Sequence, residues 1–394
     1  MNYTNIYSLF RQRVEEHSND YIFYTRKDNS WYGITWKDFA SEVYNFGYAL
    51  IKSGLTRKAS VCILMGNVTQ WPVADIGTII AGGVGVGLYP TSSPEQCRYI
   101  IDHSDAEFVV VDTRQQLEKI LQVRFDLPKL KLIVSLDEDA AREHQAVIGY
   151  QEFLKIGREH AELASPILLD RAESAQAEDI AIMVYTSGTT GLPKGACLSH
   201  RYIINSVESL LETIAVTNLD RSFSYLPYCH VAERISGMYN RLYAGASAYF
   251  VDNINKLWDY MLEVKPTVFG SLPRFYEKIY ARIVADFEKA PLAEKELFYK
   301  VLEVGKKISR LKQNGESVAA ELQQEYNSIS PAIIEKVRGY FGGSLRIATS
   351  GGAPLPYEIA EFFDALKIPI LQAYGLQKMY VLLSTDQITI DLVL

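Results

Sequence analysis

The sequence predicts an α/β protein of two lobes, each a mainly parallel sheet flanked by helices. Two observations lead there. Short apolar runs alternate with segments of helical spacing through the first 136 residues, and a second alternation runs from "IAIMVYTSG" to "IPILQAYG". Buried parallel strands read as continuous apolar runs, because both faces of their sheet are covered. The composition supports large cores: 394 residues, 48% hydrophobic and 22% charged.

In the first lobe, "ASVCILMG" (59–66) reads as a buried strand and "TQWPVADIGTIIAGG" as a helix. "VGVGLYP" is the next strand, closed by Pro90. "SPEQCRYIIDHSD" opens with Ser93 as a plausible N-cap and Pro94 in the first helical position. "EFVVVD", "TRQQLEKILQV" and "LKLIVSL" then repeat strand, helix, strand. Residues 137–180 are more polar and irregular, and "ILLDRAESAQAEDI" reads as a surface connection between lobes. A long charged helical region spans roughly 273–338, with Asn314-Gly315 as its break. The expected division is a first lobe at 1–170, a second lobe at 171–376, and a tail at 377–394.

A net charge of −7 argues against a nucleic-acid partner, which needs a basic face. Cys62, Cys97, Cys197 and Cys229 are scattered, so they read as reduced structural thiols rather than metal ligands or disulfides. The N-terminal twenty residues are amphipathic and polar, without the apolar stretch of a signal peptide. The longest apolar run, 76–88, is shorter than the ~20 residues that span a bilayer. Its five glycines suggest close backbone packing instead. A cytoplasmic protein is expected, with peripheral contact to a membrane left open.

The chemistry concentrates in "IAIMVYTSGTTGLPKGACLSH" (180–200). An apolar strand runs into Thr186, Ser187, Gly188, Thr189, Thr190 and Gly191, followed by Lys194 and Gly195. Glycines let the backbone curl so that several N–H groups face one anion; hydroxyls add donors and Lys194 adds charge. This is a polyphosphate cradle, and not a Walker A loop, since no Gly-Lys-Ser/Thr opens a helix. The bland alternative is a Gly/Thr-rich surface hairpin.

"YTSGTTGLPKG" resembles the signature of the adenylate-forming (AMP-binding) superfamily. Four further stretches, "YPTSSPEQCRYIIDHSDAEFVVVD", "SYLPYCHVAERISGMY", "VKPTVFGSLPRFYEKIY" and "LRIATSGGAPLPYEIAEFF", resemble its long-chain fatty acyl-CoA synthetase branch, in the same order. The resemblance covers residues from about 5 to 376. It implies ATP-dependent conversion of a long-chain fatty acid to an acyl-adenylate, then to a coenzyme A thioester, with Mg²⁺ as cofactor. It implies phosphate binding by Thr186, Ser187, Gly188, Thr189, Thr190, Gly191 and Lys194. Gly351, Gly352, Ala353 and Pro354 match the turn that packs on adenine, while Tyr374 and Gly375 flank the nucleotide. His230 matches a histidine near the acyl carboxylate. A lone histidine is more often structural, but "LPYCHVAER" around it favours the site. Arg274 and Glu277 are equally explained as a helix-surface ion pair.

The chain departs from the family after Gly375. The family motif reads Tyr-Gly-x-Thr-Glu, its glutamate helping to hold Mg²⁺; here Gln377-Lys378 follow Leu376. A lysine inverts the charge at a magnesium ligand, so no metal residue is assigned. Read one base earlier, codons for Gln377 onward allow Thr-Glu, then Asn-Arg-Pro-Asp and Arg-Phe-Gly-Thr, which resemble the family's continuation. A single-base deletion near codon 376 is therefore expected. The 377–394 tail would then be out of frame and without fixed packing, and the family's small C-terminal domain would be missing. Such a chain is expected to be inactive. The alternative is a nucleotide- or fatty-acid-binding pseudoenzyme with a regulatory role.

Overall fold

A computed structural model describes residues 3–186, 192–374 and 382–384. The chain forms two compact units, one of residues 1–211 and 224–252, the other of residues 212–223 and 253–394.

The first unit carries β1 (Tyr21–Lys27), β2 (Ser30–Thr35), β3 (Ser60–Leu64), β4 (Val84–Gly87), β5 (Ala106–Val111), β6 (Leu132–Ser135), β7 (Val147–Gly149), β8 (Ile180–Thr186) and β9 (Lys194–Ser199). β10 (Arg221–Ser224) straddles the division, and β11 (Ser247–Phe250) returns to the first unit. Seven of these strands form one sheet in the order β7-β6-β5-β3-β4-β8-β9, parallel except for the β8–β9 hairpin. The expected strands at 59–66, 84–90 and 107–112 all fall in it. β3, β4 and β5 are almost wholly buried, as continuous apolar runs require. The helix Pro94–His103 starts as read: Ser93 caps it and Gln96 returns the bond, with Pro94 in the first turn.

Two sequence expectations change. Residues 137–180 are largely helical, including Tyr150–Glu159 and Ala161–Glu173, with Phe153, Leu154, Leu168 and Ala172 buried. Their polar outer faces concealed apolar inner ones. The expected boundary near residue 170 also lies inside the first unit, because β8 pairs with β4 and continues the first sheet. The segment read as a phosphate cradle thus belongs to the first unit.

The second unit carries β12 (Val268–Ser271), β13 (Ile347–Gly351), β14 (Ile370–Tyr374) and β15 (Leu382–Ser384), paired in that order. The first three are parallel. The charged region is four helices, Pro273–Glu288, Leu292–Gln313, Ala320–Ile329 and Pro331–Gly339. The second ends at Asn314, and Gly315 takes φ +70°. β15 pairs antiparallel with β14 through Tyr374↔Leu382, so residues 382–384 of the tail join the sheet. That corrects, for these three residues, the expectation of a tail without fixed packing. Residues 377–381 and 385–394, and with them Lys378, lie outside the described residues.

Candidate functional site

Ligands of open α/β sheets bind beyond the carboxyl ends of parallel strands. The sequence-derived residues of each unit gather at such ends.

In the first unit, Thr186 ends β8 and Lys194 begins β9, and the two are register partners. The segment read as a phosphate cradle therefore lies between β8 and β9, with Thr186 and Lys194 opposite each other in register at its base. Ser187, Gly188, Thr189, Thr190 and Gly191 lie outside the described residues. Lys194 is exposed and makes no ion pair with a described residue, so its charge is open to an anion. Two groups that sequence reading missed brace the hairpin. The Tyr99 hydroxyl donates to the Pro193 carbonyl (3.1 Å), and His103 Nδ1 bonds the Tyr185 hydroxyl (2.8 Å). Tyr99 and His103 stack one helical turn apart. Burial raises the Tyr185 phenol well above its ordinary pKa, so it stays protonated.

His230 lies at the carboxyl end of the neighbouring strand. Cys229 packs directly on Gly87, the last residue of β4, and Gly87 pairs with Val184, two residues before Thr186. The His230 backbone N–H donates to the Pro227 carbonyl (3.0 Å), and its Nδ1 accepts from the Ala232 N–H (3.2 Å). That bond leaves the proton of a neutral ring on Nε2. The imidazole is exposed, yet the protein around it removes enough solvation to lower its pKa. A neutral ring with one outward donor can hydrogen-bond a carboxylate.

The segment after His230 carries buried charges whose pairing no motif announces. Arg234 grips Asp75, and Arg241 grips Glu233; Asp75 and Arg234 are both 0% exposed. Burial raises the Glu233 pKa, an effect that Arg241 only partly offsets. The only sequence signal was an aspartate amid the apolar positions of "QWPVADIG".

In the second unit, Gly351 ends β13 beside Ala373 of β14, which places the Gly351–Pro354 turn next to the Tyr374 backbone at adjacent carboxyl ends. Gly352 takes φ +81°, a conformation costly for any residue with a Cβ. Its carboxyl-side neighbours are held by a bond from the Leu355 N–H to Gln372 Oε1 (3.2 Å). Ala353 and Pro354 are exposed. Gly375 lies outside the described residues. Below the turn, the Tyr276 hydroxyl donates to the Thr349 carbonyl (2.9 Å). Arg274 and Glu277 form an ion pair (3.6 Å) on the helix surface, consistent with the surface reading. Among the described residues no group of three His, Cys, Asp or Glu side chains could hold a metal ion. No described helix is long and apolar enough to cross a membrane.

The family profile of AMP-binding enzymes matches residues 10–390. The chain belongs to the AMP-binding enzyme family. The match spans nearly the whole chain and runs into the 377–394 segment. Among curated relatives in this family, the chain is 30% identical over 382 residues to the long-chain-fatty-acid–CoA ligase ACSBG2 of Xenopus laevis, covering 95% of this chain and 51% of that protein. It is 31% identical over 376 residues to the human ACSBG2, covering 94% and 55%. The chain thus spans about half the length of the curated relatives it matches. Solved structures of the same fold include an anthranilate CoA ligase, AuaEII, with anthranoyl-AMP (TM-score 0.70, 19% identity, 95% of this chain and 60% of that one). The N-terminal domain of FACL13 from Mycobacterium tuberculosis also matches (TM-score 0.62, 18% identity, 95% and 77%). At that identity they support the α/β fold alone.

Proposed function

We propose that this chain carries the nucleotide- and acyl-handling part of an AMP-forming long-chain fatty acyl-CoA ligase. The observation that carries the reading is the "YTSGTTGLPKG" segment, set in the β8–β9 hairpin with Thr186 and Lys194 in register at the carboxyl end of a parallel sheet. In the reaction, a carboxylate oxygen of the fatty acid attacks the α-phosphate of ATP and pyrophosphate leaves. The CoA thiol then attacks the acyl carbon, and AMP departs as the thioester forms. Neither step needs a protein nucleophile; positioning and charge neutralisation do the work.

Thr186, Ser187, Gly188, Thr189, Thr190, Gly191 and Lys194 hold the phosphates in this reading. Gly351–Pro354, Tyr374 and Gly375 take the adenine, and the outward Nε2–H of His230 holds the carboxylate. Mg²⁺, when bound, supplies further neutralisation of the phosphates. Gln377-Lys378 stand where the family resemblance calls for Thr-Glu, and they favour a second reading: a chain that binds nucleotide without turning it over. The deciding experiment measures palmitate-dependent pyrophosphate release with ATP, Mg²⁺ and CoA. Palmitate-dependent release above background supports the ligase, and release at background together with tight Mg²⁺-dependent ATP binding favours the binding protein. The cellular setting proposed is cytoplasmic, with peripheral membrane contact as the route to an apolar substrate.

A further inference from the structure

Two glycines of "VGVG" show what presses on β4. A Cβ on Gly85 would fall 2.1 Å from Asp75 Oδ1 and 2.6 Å from Arg234 Nη2; one on Gly87 would fall 2.7 Å from Cys229 Cα. The Asp75–Arg234 pair and the backbone beside His230 therefore occupy the space that side chains would take on this strand. Arg234 Nη2 donates both to Asp75 Oδ1 and to the Gly85 carbonyl (3.2 Å), and Nε donates to Asp75 Oδ2 (3.3 Å). The Tyr239 hydroxyl donates to Asp75 Oδ2 (2.8 Å), and the guanidinium lies 5.0 Å over the Trp71 ring. Trp71 also stacks on Tyr228 (5.0 Å), whose hydroxyl meets Ser224 Oγ (2.6 Å) and Arg241. His230 is thus flanked on both sides, at Tyr228 and Arg234, by side chains locked into one cluster. The main chain shows the same constraint: the Arg234 N–H donates to the His230 carbonyl (3.0 Å), and Glu233–Tyr239 winds as a π-helix. Such widened turns are rare and often mark functional sites.

Stability does not account for two fully buried charges, since an apolar pair of similar volume would hold a core as well or better. A two-point guanidinium–carboxylate grip does fix distance and rotation together. We propose that Asp75 and Arg234 are positioning residues that clamp the Tyr228–Tyr239 segment onto β4 and so set where His230 meets the substrate carboxylate. This rests on the assignment of His230 to the fatty-acid carboxylate, and the test separates the two.

The test uses the full chain with isotopically labelled histidines; His230→Asn identifies the His230 signal among the six. Its titration and its response to palmitate are followed by NMR in the parent, in Asp75→Asn/Arg234→Gln and in Gly87→Ala. The double variant keeps an acceptor for Tyr239 but no charge, and Gly87→Ala presses on Cys229 without touching the ion pair. Asp220→Asn, which breaks a charge pair of the second unit, controls for general destabilisation. In either folded first-unit variant, the His230 titration should move toward that of a free histidine. The palmitate response should weaken roughly 10- to 100-fold, as for other groups that orient a binding side chain. Asp220→Asn should change neither. A folded variant with unchanged His230 titration and palmitate response overturns the positioning role. A parent whose His230 ignores palmitate overturns the carboxylate assignment instead, while the titration comparison still judges the clamp.

Discussion

His200 opens the helix that follows β9, and it is buried with its Nδ1 accepting the Ile6 N–H (3.2 Å). It thereby docks the first turn of the N-terminal helix Ile6–His17. Loss of solvation is the main cause that pushes its pKa from 6.5 down to about 4; nearby Asp179, itself paired with Lys58, offsets this only in part. Protonation would also turn the accepting nitrogen into a donor facing the Ile6 donor. The unfolded chain takes up the proton near pH 6.5 and the folded chain only near pH 4, so the unfolded state binds more protons between those values. Stability contributed by neutral His200 is complete above about pH 6.5, falls as pH falls, and levels off below about pH 4. At ~1.4 kcal/mol per pH unit the full loss is about 3 kcal/mol. Urea unfolding followed by tryptophan fluorescence reports the first unit, because Trp31, Trp36 and Trp71 lie there and only Trp258 lies in the second. Other groups titrate in the same range, so the quantity to read is the difference between the parent and His200→Asn. The parent should lose about 2–3 kcal/mol more than the variant between about pH 7 and about pH 4.5. Parallel pH profiles for the two proteins would show that His200 is not the buried neutral group described.

Lys194→Ala should weaken ATP binding by ~1–3 kcal/mol, the worth of a charged hydrogen bond, read by calorimetry. Gly352→Val forces a β-branched residue to φ +81° with the Leu272 side chain 3.0 Å from its Cβ, and should cost at least ~1–2 kcal/mol in urea unfolding and weaken AMP binding by calorimetry. Deleting residues 385–394 should raise the soluble monomer fraction by size-exclusion chromatography, since this stretch follows the β15 pairing and carries apolar "ITIDLVL".

The fold class was legible because β3, β4 and β5 are buried on both faces and therefore read as unbroken apolar runs. The unit boundary was not, since strand order is a tertiary property: nothing local to Ile180–Thr186 says that it pairs with Gly85–Gly87. The helices of residues 138–173 were obscured by outer faces rich in Glu, Arg and His. At the site, motif chemistry singled out the candidate ligand-binding positions, as with Thr186, Lys194 and the Gly351–Gly352 turn. Their supports were not. Tyr99 and His103 bond to partners 94 and 82 residues away, and Asp75 meets Arg234 across 159. Long-range pairings of that kind leave no periodicity in the sequence.

Where a charge pair sits along its strand distinguishes two uses of the same chemistry. Arg346 stands one residue before β13 and binds Asp220, which also accepts from the Thr267 hydroxyl (2.7 Å). Burial alone would raise the Asp220 pKa, but the bonds from Arg346, Thr267 and the Thr217 backbone outweigh it and hold it low. This pair ties the amino-terminal end of β13 to the 212–223 segment, at the opposite end of the strand from Gly351 and Gly352. Asp75–Arg234 instead braces β4 at Gly85, and its chain leads within one helical turn to His230 at the carboxyl end. In an open parallel sheet, only the carboxyl ends face the ligand. A disturbance at Asp220 reaches the second unit's stability before it reaches the Gly351–Pro354 turn. A disturbance at Asp75 reaches His230 through Arg234, whose N–H bonds the His230 carbonyl, and through Trp71, on which Tyr228 stacks.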